Sequence, residues 1–385
     1  MHAHNRIHHL RHDERGMSFV FVGMGFMAFF AATTLAIDVG MFMTARSQAQ
    51  NAADAGALAG ATALLFNDYD DRSAGGPAVQ GAVNTARANA VMAGTVSVGP
   101  ADVTFPPGTG GEHNRVRVSV FRTGGRNNPV ATLIGPVFGV PTVDIGATAT
   151  AEAAPANAMT CVKPFTIPDR WIENGNPPWT PDSTFDRYDN KGKLLPNADV
   201  YVPVGQSGYA GYDAEDDRGL SLMIRAGTGN NVAPSFYWSW AMPGGTGADF
   251  YEENISGCNT TIAHFGELMT AEPGNMVGPT TQGIDDLIAK DANAYWDNST
   301  NSVHSTMSPS PRVFPIPLYD PEYYADGKAN GRNADLKMAN WLGFFVERRS
   351  GNTVYGRITP ILGIIDRDAG PAPVGTFPLA IRLVE

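Results

Sequence analysis

Only two cysteines, Cys161 and Cys258, occur in 385 residues, which excludes a disulfide-dense scaffold. Two cysteines alone cannot make a zinc site either, and no histidine spacing nearby completes one. Catalytic signatures are also missing. The chain has no Gly-x-Ser-x-Gly elbow, no His-Glu-x-x-His helix and no phosphate loop ending in Gly-Lys-Ser/Thr, and His113, His264 and His304 stand alone. Positive charge is sparse: the net charge is −11 without clustering, so nucleic-acid binding has no electrostatic footprint. No motif implies a cofactor or a metal.

Charge and proline are both absent from Met17 to Ile37. These 21 residues match the roughly 20 that a helix needs to cross a bilayer core. A cleavable signal peptide has an apolar region of about 7 to 15 residues ending in a small-residue cleavage site. Here the run is longer and continues as helix, so a retained anchor is expected. No proline follows before Pro77, and a helix from Met17 to Leu65 would measure roughly 70 Å. The leader carries Arg6, Arg11 and Arg15 with five histidines, and an Arg/Lys excess before a span favours a cytoplasmic N-terminus. Everything beyond the span is then exported. Arg46, on the outer side, opposes this only weakly because its long side chain can snorkel.

Small residues beyond the span repeat every fourth position. Ala45, Ala49, Ala53 and Ala57 form one ladder, and Ala52, Gly56 and Gly60 another. Such ladders let a second helix or a sheet come close to the backbone. Glycine in a helix costs about 1 kcal/mol relative to alanine, so Gly56 and Gly60 point to packing rather than to helix propensity.

The segment RGMSFVFVGMGFMAFFAATTLAIDVGMFMTARSQAQNAADAGALAGATALL resembles the N-terminal signature of the TadE/TadG-like proteins of the tight adherence, or Flp, pilus-assembly system. The matching elements are Arg15-Gly16 opening the span, Asp38-Val39-Gly40 closing it, and Arg46 through Gly60 following, with Ala49 between Gln48 and Gln50. The resemblance implies a membrane-anchored, non-enzymatic assembly component, either a minor pilin-like or an assembly-complex subunit. Its partners would be the inner membrane and other pilus-assembly or pilin-like proteins. One departure concerns processing: pilins cut by the prepilin peptidase carry a glutamate five residues past the cleavage point, where this chain has Phe21. The Asp-x-Ser-x-Ser metal motif of a von Willebrand type A domain, found in many family members, is absent.

Glycine and proline together make about 18 percent of the chain, above the roughly 12 percent average, a turn-rich and β-leaning composition. A helix is expected at 78–93 and strands at 95–98, 102–105 and 115–121. In the last of these, Val116, Val118 and Val120 alternate with polar residues, the period of a sheet with one buried face. VATLIGPVFGV and TVDIGATATAEA would complete a small sheet. Near Ala154 the alanine-rich sequence gives way to aromatics and prolines. Strands are expected beyond it at 220–226, 235–242, 312–319, 341–348, 352–365 and 378–384, with a hairpin turn at 349–352. Thr280 or Thr281 would cap a short helix carrying Ile284, Leu287 and Ile288 on one face.

The fold class expected is α+β. A long transmembrane helix continues into a pilin-like helix with a small antiparallel sheet, and a mainly β exported domain follows. The segments are a basic leader (1–16), the span and its continuation (17–66), a pilin-like module (67–154) and the β domain (155–385). An exported location makes a disulfide between Cys161 and Cys258 the default. The alternative function is an anchored carbohydrate- or calcium-binding module, or a hydrolase. Tyr237, Trp238 and Trp240 would form a sugar platform, and Asp213, Glu215, Asp216 and Asp217, or Asp186, Asp189 and Asn190, would hold calcium. Alternating strand aromatics more often fill a core, and neither acidic cluster has EF-hand spacing.

Overall fold

The apolar run and the alanine-rich stretch form one uninterrupted helix, α1 (Arg15–Phe66), of 52 residues, about 78 Å end to end. Within it the hydroxyls of Thr33, Thr34 and Thr44 donate to the carbonyls of Phe29, Ala31 and Gly40, so these polar groups are satisfied without water. The computed structural model describes residues 15–66, 71–108, 114–227, 231–307, 309–329 and 335–384. Residues 1–14, with the leader's histidines, and His113 lie outside the described residues.

The chain divides into two units. The first comprises Met1–Gly56, Val83–Thr104 and Arg117–Ala149, and the second Ala57–Ala82, Phe105–Val116 and Thr150–Glu385. Helix α1, helix α2 (Pro77–Ala88) and the strands β2 (Arg115–Arg122) and β5 (Ile145–Pro155) each contribute to both.

In the first unit, α2 ends five residues short of the expected 93. Met92 and Ala93 have φ of 49° and 59°, and this left-handed pair turns the chain so that Val91 bridges Gly94. The buried guanidinium of Arg122 lies over Gly94, where a Cβ would overlap Nη1, and donates to the carbonyls of Val91 and Asn128. Residues 95–98 form no strand; Ser97 makes a single bridge to Phe121. β1 (Val103–Thr104) pairs antiparallel with β2, whose valines are buried. β3 (Val130–Ala131) pairs with β4 (Thr142–Val143). Between them, residues expected to be strand form a loop with a single 3-10 turn, Gly135–Phe138, because Gly135-Pro136 and Gly139 (φ 80°) favour turns over a ladder.

The second unit is built on a mixed β-barrel. β6 (Ala158–Met159) precedes β7 (Phe165–Pro168), β8 (Ser221–Ala226) and β9 (Phe236–Ser239). After helix α3 (Ala248–Ser256) come β10 (Ala263–His264), which pairs with β6, and β11 (Leu268–Met269). Helix α4 (Val277–Lys290) and the hairpin of β12 (Tyr295–Asp297) with β13 (Ser302–His304) follow. Then come β14 (Val313–Tyr319), α5 (Pro321–Ala329), β15 (Leu336–Ser350), β16 (Thr353–Ile358) and β17 (Leu379–Leu383). The order β14-β7-β9-β8-β16-β15 closes on itself through the β14–β15 pairing, a ring of six strands, and β11 lies outside it on β15. Phe165, Ile167, Ile224, Ile316, Trp341 and Phe344 are buried in its core. The turn at Gly351-Asn352 joins β15 and β16, with Ser350 opposite Thr353. β17 pairs with Ala151–Pro155 of β5.

Two local expectations are corrected. α4 begins at Val277, ahead of the expected cap; Thr280 and Thr281 lie inside it and turn their hydroxyls back onto the carbonyls of Met276 and Gly278. Asp285, farther along the helix, pairs with Arg349 at 2.6 Å. β15 also extends well beyond the expected 341–348, since Lys337 and Asn340 interrupt the apolar pattern without interrupting the ladder.

Candidate functional site

The first candidate is the apolar half of α1. Met17–Phe66 contains a stretch long and apolar enough to cross a membrane, and none of that stretch is buried by the chain. Large side chains such as Phe19, Phe26, Met27 and Phe29 stand exposed on it. In water such a surface would be strongly unfavourable at about 25 cal/mol per Å². A lipid environment would remove that penalty.

Asp38 closes this stretch, and its side chain is buried, 7% exposed. Oδ1 accepts the backbone N–H of Leu133 at 2.9 Å, and Oδ2 accepts those of Ile134 at 3.2 Å and Gly135 at 2.9 Å. In a bilayer, a carboxylate at the edge of such a stretch would cost up to about 3 kcal/mol unless it were compensated. Here three amide dipoles converge on it, as they do in anion-binding nests. Sequence reading marked Asp38 as part of the triplet ending the span but assigned it no partner. The available signal was the charge itself at the edge of an apolar run.

The second candidate is the small-residue ladder. Ala45, Ala49, Ala52, Ala53, Gly56, Ala57 and Gly60 are all buried. Ala45 through Gly56 belong to the first unit, where Gln48 Oε1 accepts the N–H of Met92 at 2.8 Å and Gln50 Nε2 donates to the carbonyl of Thr148. Ala57 and Gly60 belong to the second unit. A Cβ at Gly60 would meet Val116 Cγ1 at 2.8 Å and Ala82 Cβ at 3.1 Å. The ladder is thus covered by the chain's own strands and by α2.

In the second unit Cys161 and Cys258 form a disulfide. Nearby, Lys163 is buried beneath it; its Nζ donates to the carbonyl of Gly257 at 2.6 Å, just past the end of α3. Burial, and then the charge of Lys290, push the Lys163 ammonium down to about 7. Asp169 is wholly buried, accepts the hydroxyls of Tyr201 and Tyr209 at 2.9 and 3.0 Å, and is pushed up to about 6 by burial despite those bonds. Tyr209 in turn accepts Asn340 Nδ2 at 2.8 Å, so the cluster is a buried polar network.

The proposed sugar platform is not assembled as a surface. Tyr237 and Trp240 are core residues, and Trp238 packs on Tyr324 at 5.8 Å between centroids. The acidic clusters cap turns. Asp213 accepts the N–H groups of Glu215 and Asp216, Asp217 binds Arg170, and Asp189 accepts those of Lys191 and Lys193. Among the described residues no group of three or more His, Cys, Asp or Glu is placed to hold a metal ion. His264 lies between Asp366 and Glu267, each at 2.9 Å, whose carboxylates raise its pKa, and His304 stacks on Tyr295.

No curated protein and no solved structure matches the chain. A family model matches residues 16–63; it is the Tad family, described as "Putative Flp pilus-assembly TadE/G-like". The matched segment contains the exposed apolar helix, Asp38 and the whole small-residue ladder. Over residues 16–63, about an eighth of its length, this chain is similar to the TadE/TadG-like proteins of Flp pilus assembly.

Proposed function

We propose that this protein is a membrane-anchored, non-enzymatic component of the Flp, or tight adherence, pilus-assembly apparatus. Met17–Ile37 crosses the bacterial inner membrane once, with the leader in the cytoplasm and the chain beyond Asp38 on the outer side. The observation that carries the reading is the coincidence of the family match with an apolar helix that the chain leaves uncovered. Orientation rests on the arginines of the leader, and an exported location agrees with the Cys161–Cys258 disulfide.

Because the ladder from Ala45 to Gly60 is already covered, partners meet the protein elsewhere on α1. Gly23 and Gly25 have open space where a Cβ would stand, a surface on which another span can approach closely. The test is photo-crosslinking in native membranes from Phe26 and Phe30, both exposed, with Ala49 as the covered control. Recovery of a pilus-assembly protein from the first two positions and not from Ala49 is expected. Recovery of none from any position would sink the assembly role. An alkaline phosphatase fused after residue 66 is expected to be active, since its disulfides form only after export; an inactive fusion would sink the orientation.

A further inference from the structure

The loop between β3 and β4 has the composition of a membrane segment and the position of one. From Asn127 to Val143 there is no charged residue. Its large side chains point outward: Leu133 is 64% exposed, Val137 80% and Phe138 64%. A soluble loop rarely displays such a cluster. It is held against α1 by Asp38, and it lines, with Ala31, Leu35 and Phe42, an apolar hollow of about 370 Å³.

Depth follows from helix geometry. Ala31 precedes Ile37, the last residue of the apolar run, by six positions, about 9 Å along the axis. A loop that packs beside Ala31 therefore lies below the outer end of the span. That is the depth, about 5–10 Å, at which interfacial apolar segments rest.

Most of the loop's backbone N–H groups satisfy the condition that lipid imposes. Irregular chain is tolerated in hydrocarbon only where its polar groups have partners. Leu133, Ile134 and Gly135 donate to Asp38. Thr132 donates to Pro141, Val137 to Ile134, Gly139 to Pro136 and Val140 to Gly135. Thr132 Oγ1 donates to the carbonyl of Val140, and Pro136 and Pro141 have no N–H to satisfy. The loop thus turns its amides inward and its apolar side chains outward, the reverse of a solvated loop.

We infer that residues 132–141 are a membrane-embedded wedge: Leu133, Val137 and Phe138 enter the acyl region of the outer leaflet, a lipid chain occupies the hollow beside α1, and Asp38 is the latch. The occupant is lipid because the hollow and the exposed side chains are continuous with the uncovered face of the span. The inference rests on Met17–Ile37 being a span, and it adds a second attachment that fixes the rotation of α1 in the membrane.

The experiment is spin-label accessibility in the full chain, with its disulfide intact, in phosphatidylcholine–phosphatidylglycerol vesicles. A label is placed at Phe138→Cys or, separately, at Phe29→Cys within the span. Both labels are expected to collide more with oxygen than with a water-soluble nickel chelate, and the label at 138 to be the shallower. Nickel access at 138 with lipid access at 29 would overturn the wedge and leave the span intact. Nickel access at both would overturn the span, and the wedge with it. Shielding of 138 from both reagents would mean that protein covers the loop, which also overturns the inference. Adding Asp38→Ala is expected to move the 138 label toward water; an unchanged profile would remove Asp38 as the latch.

Discussion

Glu152 and Arg382 are joined by two hydrogen bonds, from Nε at 2.8 Å and Nη2 at 2.6 Å to Oε1. The other carboxylate oxygen accepts Arg115 Nε at 2.8 Å. Glu152 is buried. Burial alone would raise its pKa, but the two guanidiniums outweigh burial and hold it below the ordinary range. Glu152→Gln is therefore expected to lower unfolding stability by about 2 kcal/mol at neutral pH. Since the folded pKa is the lower one, the carboxylate's contribution is complete above the unfolded pKa and is lost as pH falls through the folded value. Urea midpoints measured across that range should converge for the two proteins at acid pH; parallel curves would refute the pairing.

Asp169 predicts the opposite slope. Its folded pKa of about 6 lies above the ordinary 3.8, so the folded state keeps a proton that the unfolded state has released. The stability contributed by this group is complete below the unfolded pKa and is lost as pH rises toward and past 6, about 3 kcal/mol in all. Asp169→Asn should flatten the stability curve over that window. A variant that follows the wild-type curve would show that Asp169 does not titrate as described.

Gly60 and Gly81 make a contrasting pair. A Cβ at Gly60 meets Val116 at 2.8 Å and the carbonyl of Ala78 at 3.3 Å, too close to absorb without movement. At Gly81 it meets only Ala63 Cβ at 3.4 Å and a carbonyl at 3.7 Å, ordinary contact. Gly81→Ala should raise stability by about 0.5–1 kcal/mol. Gly60→Ala should lower it by about 1–2 kcal/mol despite the same gain in helix propensity. Thermal melts that rank the two the other way round would contradict the packing.

The disulfide spans a sequence separation of 97. A cross-link of that length constrains the unfolded chain by about 4–5 kcal/mol in the loop-entropy model. Cys161→Ser combined with Cys258→Ser should show a loss of that order in urea, matched by the wild-type protein under reductant. A loss below about 1 kcal/mol would mean that the native contacts around Lys163 hold the loop without the bond.

Elements written in a single dominant period were legible from the sequence. The uncharged run and the proline-free stretch behind it gave α1, and the alternating valines of β2 gave a half-buried strand. What escaped depends on contacts distant in the chain. Asp38 meets amides 95 to 97 positions away, and no local pattern records that. TLIGPVFGV is apolar enough for a strand, yet its glycines and prolines fold it into turns. β7 is four buried residues, too short for either period to register. The ladder's spacing points to close packing, but whether the surface against it comes from this chain or from another protein is a matter of topology, which spacing does not encode.

The ring formed by β7, β9, β8, β16, β15 and β14 flanks each of its strands on both sides. Strand donation, in which an extended arm from one subunit completes an open sheet in the next, needs a free row of amides and carbonyls. Among the described residues every strand of the ring already has a neighbour on each side, although β7 covers β14 only at Leu318 and Tyr319, so little edge is left for such an arm. A partner would therefore meet the protein chiefly through its helix, its loops or its shorter sheets, with the barrel already folded.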